Sequence, residues 1–244
     1  MSHSRYFAGR DEKNEEKLAH LLATLPPYCK DYFRGIRPAT TSMTRVAYAY
    51  DLSMFFTFLR NSPDASLRAI CEAKRPECLS AITKQDVECY LEYLEGNGAS
   101  PDDGPRNRTQ GIRRRFSSLK SFLSYFCEAK AIPVNPTDAT RMPKLREKEI
   151  IRMDQDEMRE FLTELENGTG LRGKEIAYHG RFQVRDKAML SLMLGTGIRV
   201  SECVGLDLED IDLTKNSAHI QRKGGREATV YYNDEVKENL RVYL

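Results

Sequence analysis

Apolar residues in the first half of the chain recur at helical spacing. Leu18, Leu21, Leu22 and Leu25 fall at i, i+3, i+4 and i+7 and predict an amphipathic helix that Pro26-Pro27 ends. A second helix is expected after Thr41 or Ser42, where Tyr48, Leu52, Phe55, Phe56 and Leu59 share a face, and Asn61 to Pro63 stops it. A third runs from Lys84 to Glu95 with Thr83 as N-cap and Val87, Tyr90, Leu91 and Leu94 as its stripe. The loop Gly96 to Pro105 is rich in turn formers. A fourth helix, about Arg108 to Lys130, has the cleanest stripe: Ile112, Phe116, Leu119, Leu123 and Phe126. Residues 1–15 are polar and predict a flexible arm.

The second half reads differently. Between Ile132 and Ile150, Pro133, Pro136 and Pro143 stand among charged residues, which disfavours helix and marks a linker over 133–150. Asp154 is placed to cap a helix through Met158, Phe161, Leu162 and Leu165. Residues 167–184 are polar and glycine-bearing and predict a long loop; Val184 to Leu194 is helical and breaks at Gly195-Thr196-Gly197. A short helix from about Val200 to Val204 follows. Ser217–Arg222 and Glu227–Tyr232 then flank Lys223-Gly224-Gly225, a hairpin signature, before a helical pattern over Asp234 to Leu244. The expected organisation is a helical domain over 16–132, the linker, and an α+β domain over 151–244.

A length of 244 residues accommodates both domains with ample apolar material. With 40% hydrophobic and 30% charged residues and a mean hydropathy of −0.58, the chain has the composition of a globular protein, neither disordered nor membrane-spanning. No secretion signal opens the sequence, so a cytoplasmic location is expected. Six cysteines (Cys29, Cys71, Cys78, Cys89, Cys127, Cys203) are scattered without a CxxC pair, as expected of reduced thiols and not of a metal or redox site.

The formal net charge of +2 conceals an asymmetry. Residues 1–146 carry 23 basic and 17 acidic side chains, a net of +6, whereas 147–244 carry 15 and 19, a net of −4. The fourth helix concentrates the excess: Arg106, Arg108, Arg113, Arg114, Arg115 and Lys120 occur without an acidic residue between Arg106 and Lys120. At about 100° per residue, Arg113 and Arg114 fall opposite the apolar stripe, beside Gln110, Ser117 and Ser121. A solvated face ordinarily mixes both signs. This one is read as a phosphate-contacting surface of Arg106, Arg108, Arg113, Arg114 and Lys120, with Arg115 lying along the apolar edge.

The most specific run is Thr196-Gly197-Ile198-Arg199-Val200-Ser201-Glu202, then Leu206-Asp207-Leu208-Glu209-Asp210-Ile211-Asp212, then a strand into Arg222-Lys223-Gly224-Gly225-Arg226-Glu227. In order and spacing it resembles the tyrosine recombinases, the phage-integrase family. Tyr50-Asp51-Leu52, the Phe116–Phe126 helix and Asn135-Pro136 extend the resemblance, more weakly, into the first half. The resemblance implies a mainly α protein. A four-helix SAM-like core-binding domain would be followed by part of an α+β DNA breaking-rejoining domain with a small β-hairpin, the two closing on duplex DNA.

Carried over to this sequence, the family pattern makes Arg199 the first catalytic arginine, Lys223 the hairpin-turn lysine and Glu202 a supporting acid. The chemistry suits those residue types. A guanidinium grips two phosphate oxygens as charge develops in the transition state, and a lysine on a turn protonates the departing 5′ oxygen. The family completes its site with a helical HxxR motif and a tyrosine nucleophile. His219-Ile220-Gln221-Arg222 spells HxxR but belongs to a strand, and Tyr231, Tyr232 and Tyr243 follow Arg199 too closely, so no nucleophile is assigned.

The resemblance therefore implies a site-specific recombinase lacking its C-terminal portion, which binds double-stranded DNA without cleaving it. The alternative is a non-catalytic short form that occupies recombination sites, and a helical protein-interaction module is a third possibility. Neither metal nor nucleotide cofactor is expected, because a phosphotyrosine link conserves the bond energy and no Walker motif occurs. Family members act as homotetramers on paired sites; a monomer is expected for this chain alone.

Overall fold

The computed structural model describes residues 5–97, 105–142, 144, 151–222 and 225–244. The chain divides into two compact units. One is Arg10–Lys148; the other comprises Glu149–Leu244 together with the residues up to Gly9.

The first unit is built from α1 (Arg5–Thr24), α2 (Cys29–Ile36), α3 (Ser42–Arg60), α4 (Ala65–Ile70), α5 (Lys84–Asn97) and α6 (Pro105–Glu128). The initial turn of α1 belongs with the other unit. Aromatic rings fill its centre. Phe122 on α6 meets Tyr32 at 5.2 Å and 83°, Phe56 at 6.1 Å and 88°, and Phe126 at 5.2 Å and 78°, edge-to-face geometries that suit the ring quadrupoles. Leu52, Phe55, Phe56 and Leu59 of α3 are buried, as are Val87, Tyr90 and Leu94 of α5 and all five residues of the α6 stripe. The caps act locally: Thr41 Oγ1 accepts from the Thr44 amide at 3.2 Å, and Thr83 Oγ1 accepts from Asp86 N while Asp86 accepts from the Thr83 amide.

Three expectations change here. The arm expected over 1–15 is helical from Arg5, because its polar residues gain partners: Ser42 donates to Asp11 at 2.7 Å, and Glu15 pairs with the buried Arg45. Helices α2 and α4 lie outside the four expected. Each is too short to hold by propensity, and each survives by burying side chains, Cys29, Tyr32 and Phe33 in α2 and Leu67 and Ile70 in α4. The proline-bearing stretch begins as part of this unit and not as linker. Ile132 is in the core, Asn135 accepts from the Thr137 amide at 3.0 Å, and Pro136 opens a short 3-10 turn, Pro136–Ala139. A proline at the first position of a turn removes a donor that would have no partner there.

The second unit contains α7 (Gln155–Asn167), α8 (Lys174–Thr196), α9 (Val200–Cys203), an antiparallel sheet of β1 (Ile211–Asp212), β2 (Ser217–Gln221) and β3 (Glu227–Tyr231) in the order β1-β2-β3, and α10 (Asp234–Tyr243). Asp154 closes a capping box with Glu157. In the hairpin, Ala218 opposes Val230 and Ile220 opposes Ala228. Ala218, Ile220 and Val230 are buried with Ala188 and Leu192 of α8 and Val236 and Leu240 of α10. A Cβ on Gly195 would stand 2.9 Å from Val236 Cγ2, so the glycine permits the close approach of α8 and α10.

The long loop expected over 167–184 is mostly helix. Only the connection around Gly168–Gly173 is irregular, and α8 begins at Lys174. Two long-range contacts hold its extra turns against the end of α7: His179 Nε2 lies 2.8 Å from the Leu165 carbonyl, and Gln183 donates to the Glu166 carbonyl. Periodicity alone cannot anticipate such anchoring. Among the described residues no helix is long and apolar enough to cross a membrane, and no group of three or more His, Cys, Asp or Glu side chains is placed to hold a metal ion.

The packing of α2 on α6 is testable at Gly35, where a Cβ would overlap the ring of Tyr125. Gly35→Ala is expected to destabilise the protein by about 1–3 kcal/mol, as overpacked positions do, measured as a lowered urea midpoint; an unchanged midpoint would contradict this packing.

Candidate functional site

The Arg199 segment is shaped by what precedes it. Gly197 ends α8 in the left-handed conformation (φ 69°), its amide donating to the Met193 carbonyl at 2.8 Å, and Ile198 is buried as an anchor. The backbone then extends at Arg199, which caps α9. Glu202, one turn on, grips Arg199 twice: one carboxylate oxygen accepts from the Arg199 amide and the other from Nη1, both at 2.9 Å. The Glu202 side chain is 5% exposed and that of Arg199 69%. A buried carboxylate thus holds an arginine whose remaining donors face outward.

Burial pushes the Glu202 carboxyl upward, but the Arg199 backbone and side-chain hydrogen bonds, with the positive charges of Arg199 and Arg222, bring it below its ordinary value. Arg222 was not among the residues read as functional; its position at the strand end next to the expected lysine was the available signal. Lys223 and Gly224 lie outside the described residues. The turn is framed by Arg222 N donating to Arg226 O at 2.7 Å and by Gly225 N donating to Arg222 O at 3.1 Å. Beside Glu202, a cleft of about 140 Å³ is lined by Asp207, Asp210, His219, Gln221 and Glu227 among others.

The HxxR look-alike is in a strand, as its sequence context indicated: His219 is on β2, with Nε2 3.6 Å from Glu227. Tyr232 is buried and donates to the Asp212 carbonyl at 3.2 Å, whereas Tyr231 on β3 and Tyr243 at the end of α10 are exposed.

The basic face of α6 is less free than its sequence implies. Arg114 Nη1 lies 2.6 Å from Asp51 Oδ2, and Ser118 donates to the same oxygen at 2.6 Å. Burial raises the Asp51 carboxyl above its ordinary value, and Ser118 and Arg114 draw it back. Arg114 therefore neutralises an internal acid as well as meeting solvent, its side chain being 48% exposed. Lys120 pairs with Asp138 at 2.8 Å, both groups being exposed. Both acids lie outside the window Arg106–Lys120, so a charge count within one helix missed them. Arg113 is half-buried, and Ser117 donates to its carbonyl at 2.9 Å. Arg106 and Arg108 are in the first turns of α6, with side chains outside the described residues.

This arrangement matches known proteins over most of its length. Residues 151–244 match the model of the phage integrase family. The chain is 29% identical over 230 residues to tyrosine recombinase XerC of Caldanaerobacter subterraneus subsp. tengcongensis, covering 90% of this chain and 58% of that protein. It is 31% identical to XerC of Chlamydia caviae, covering 88% and 64%, and 27% identical to XerS of Streptococcus agalactiae, covering 94% and 70%. Among solved structures, a lambda integrase dimer bound to a core site superposes with a TM-score of 0.59 at 15% identity, covering 88% of this chain and 64% of that one. The Tn1549 transposon integrase in complex with a circular intermediate DNA gives 0.54 at 14%, covering 89% and 64%. The fold, mainly helical with a small three-stranded sheet, is that of these integrases, and the chain belongs to the tyrosine recombinase family. It spans between about three-fifths and seven-tenths of the length of these relatives.

Two substitutions test these ion pairs. A carboxyl with a depressed pKa stabilises the fold above its unfolded value, here 4.5, and loses that contribution as pH falls through the folded value. Glu202→Gln is therefore expected to cost about 1–3 kcal/mol at pH 7 and to flatten the loss of stability on acidification below pH 4.5; denaturant melts across pH measure both. Arg114→Ala leaves buried Asp51 with the Ser118 hydrogen bond and the more distant charge of Arg115 and is expected to cost about 1–3 kcal/mol, read from urea unfolding; a neutral result would make the pair incidental.

Proposed function

We propose that this chain is part of a site-specific DNA recombinase of the tyrosine class, in which Arg199 binds the scissile phosphate, Glu202 positions Arg199, and Lys223 is the general acid. The observation that carries this reading is the outward guanidinium of Arg199 held from beneath by a buried carboxylate, within the segment that matches the family model. Double-stranded DNA is the proposed partner; the lambda and Tn1549 integrases that share this fold are described in complexes with DNA. Arg113, Lys120, Arg106 and Arg108 on α6 are proposed as phosphate contacts, with Arg114 contributing from its ion pair with Asp51.

In the reaction proposed, a tyrosine hydroxyl gives up its proton to a general base as its oxygen attacks the phosphorus, and the bond to the 5′ oxygen breaks. The 3′ phosphate remains joined to the tyrosine, and Lys223 supplies the proton of the released 5′-hydroxyl. Arg199 offsets the negative charge that grows on the equatorial oxygens. No metal enters this sequence of bonds. For the 244 residues taken by themselves we propose DNA binding without cleavage: Tyr232 is buried on a carbonyl, and Tyr231 and Tyr243 are on β3 and at the end of α10.

The test is binding of a labelled 40-base-pair random-sequence duplex at a series of salt concentrations, alongside incubation with nicked suicide duplexes and denaturing electrophoresis. Expected is affinity that falls linearly in log–log form with salt and no protein–DNA adduct. Absence of duplex binding at low salt would remove the DNA-binding reading, and an adduct that survives denaturation would overturn the proposal that these residues bind without cleaving.

A further inference from the structure

The N-terminal half of α8 belongs neither to the Arg199 segment nor to the core of its unit, yet it has an ordered and unusual surface. At about 100° per residue, Lys174, Tyr178, Arg181, Arg185, Ala188 and Leu192 form one continuous line along the helix. At its C-terminal end this line is core, since Ala188 and Leu192 are buried. Toward the N-terminus the same line runs out of the core. Lys174, Tyr178 and Arg181 are exposed, Tyr178 at 62%, and Val184 on the flank of this line is exposed as well. The opposite side of these turns is the one fastened to α7 through His179 and Gln183.

The exposed side is organised. The rings of Tyr178 and Phe182 stack with 6.2 Å between centroids and 13° between planes. The guanidinium carbons of Arg185 and Arg181 lie 4.3 and 5.3 Å from the Phe182 centroid. Arg185 also pairs with Asp186 at 2.7 Å. Among the described residues no carboxylate lies within ion-pair distance of Arg172, Lys174 or Arg181.

The charge of this segment runs against its surroundings. Gly168 to Arg185 contains four basic residues and one acidic, a net of +3, while the rest of 147–244 has a net of −7. A stretch that merely kept a helix soluble would mix signs. A cation held over an aromatic face without a carboxylate partner, as Arg181 is over Phe182, suits a polyanion instead, because the ring restricts the side chain without neutralising it.

We propose that the N-terminal half of α8, through Lys174 and Arg181, the latter supported by the Phe182 ring of the Tyr178–Phe182 stack, together with Arg172 in the connection just before it, is a second phosphate-binding surface for duplex DNA, separate from the Arg199 site and from the α6 face. This rests on the DNA-binding reading above and extends it to a named element. The surface binds the sugar–phosphate backbone and not base sequence, since its donors are cations on long side chains without a companion acceptor. It would add electrostatic affinity in a domain whose net charge otherwise repels DNA.

The test compares the wild-type chain with Lys174→Ala/Arg181→Ala, Lys174→Arg/Arg181→Lys and Tyr178→Ala, using the labelled 40-base-pair random-sequence duplex over a salt series. The residues changed are exposed, and urea midpoints equal to wild type verify that folding is retained. Expected is a log–log salt slope shallower by about 2 for the double alanine variant, about 1 for each phosphate contact removed, with affinity several-fold weaker. The charge-conserving pair restores the slope, and Tyr178→Ala retains the slope while weakening affinity. Wild-type binding with an unchanged slope in the double alanine variant would overturn this inference and leave the DNA-binding reading standing. No binding by wild type would remove both. Sedimentation that shows self-association abolished by Tyr178→Ala, with the salt slope of the double alanine variant intact, would assign the surface to a protein contact and overturn the proposal.

Discussion

A buried carboxylate beneath a partly exposed arginine organises each half of this protein. In the helical unit Asp51 is fixed under α6 by Ser118 and Arg114; in the second unit Glu202 is fixed under α9 by the backbone and side chain of Arg199. The physics is the same in both. A carboxylate removed from water must be charge-paired and hydrogen-bonded to stay ionised at moderate cost, and the arginine that pairs it loses freedom in return. The consequences differ. Arg114 spends donors on an internal acid and is less available to a ligand, whereas Arg199 gains a defined direction while most of its guanidinium remains open.

The helix α8 connects packing with chemistry in the second unit. Its C-terminal half packs on α10 at a distance that Gly195 permits, its end at Gly197 turns the chain into Arg199, and its N-terminal half carries the stacked aromatic and basic surface. One rigid element therefore spaces the arginine that the recombinase reading places on the phosphate from the cations proposed to hold the backbone. A loop in the same place would leave that spacing undefined.

Short-range patterns were legible in the residues. The apolar stripes of α3, α5 and α6, the caps at Thr41, Thr83 and Asp154, the break at Gly197 and the β2–β3 hairpin all depend on neighbours within a turn or two, which spacing encodes directly. The same holds for the Arg199–Glu202 pair at i, i+3. Elements that exist only because something distant packs on them were not legible: the short helices α2 and α4, the ordered turn at Pro136, and the first half of α8 anchored on Leu165 and Glu166.

Charge shows the division most clearly. From the sequence alone came the basic bias of the first half, the acidic bias of the second, and the family to which the Arg199 segment belongs, because these are sums and spacings along the chain. Only the tertiary structure decided which cations remain available. Asp51 reaches Arg114 across 63 residues and Asp138 reaches Lys120 from beyond the helix, while Arg181 rests on an aromatic ring in place of a carboxylate. An ion pair forms where packing brings two charges within a few ångströms, and that proximity is a property of the folded chain.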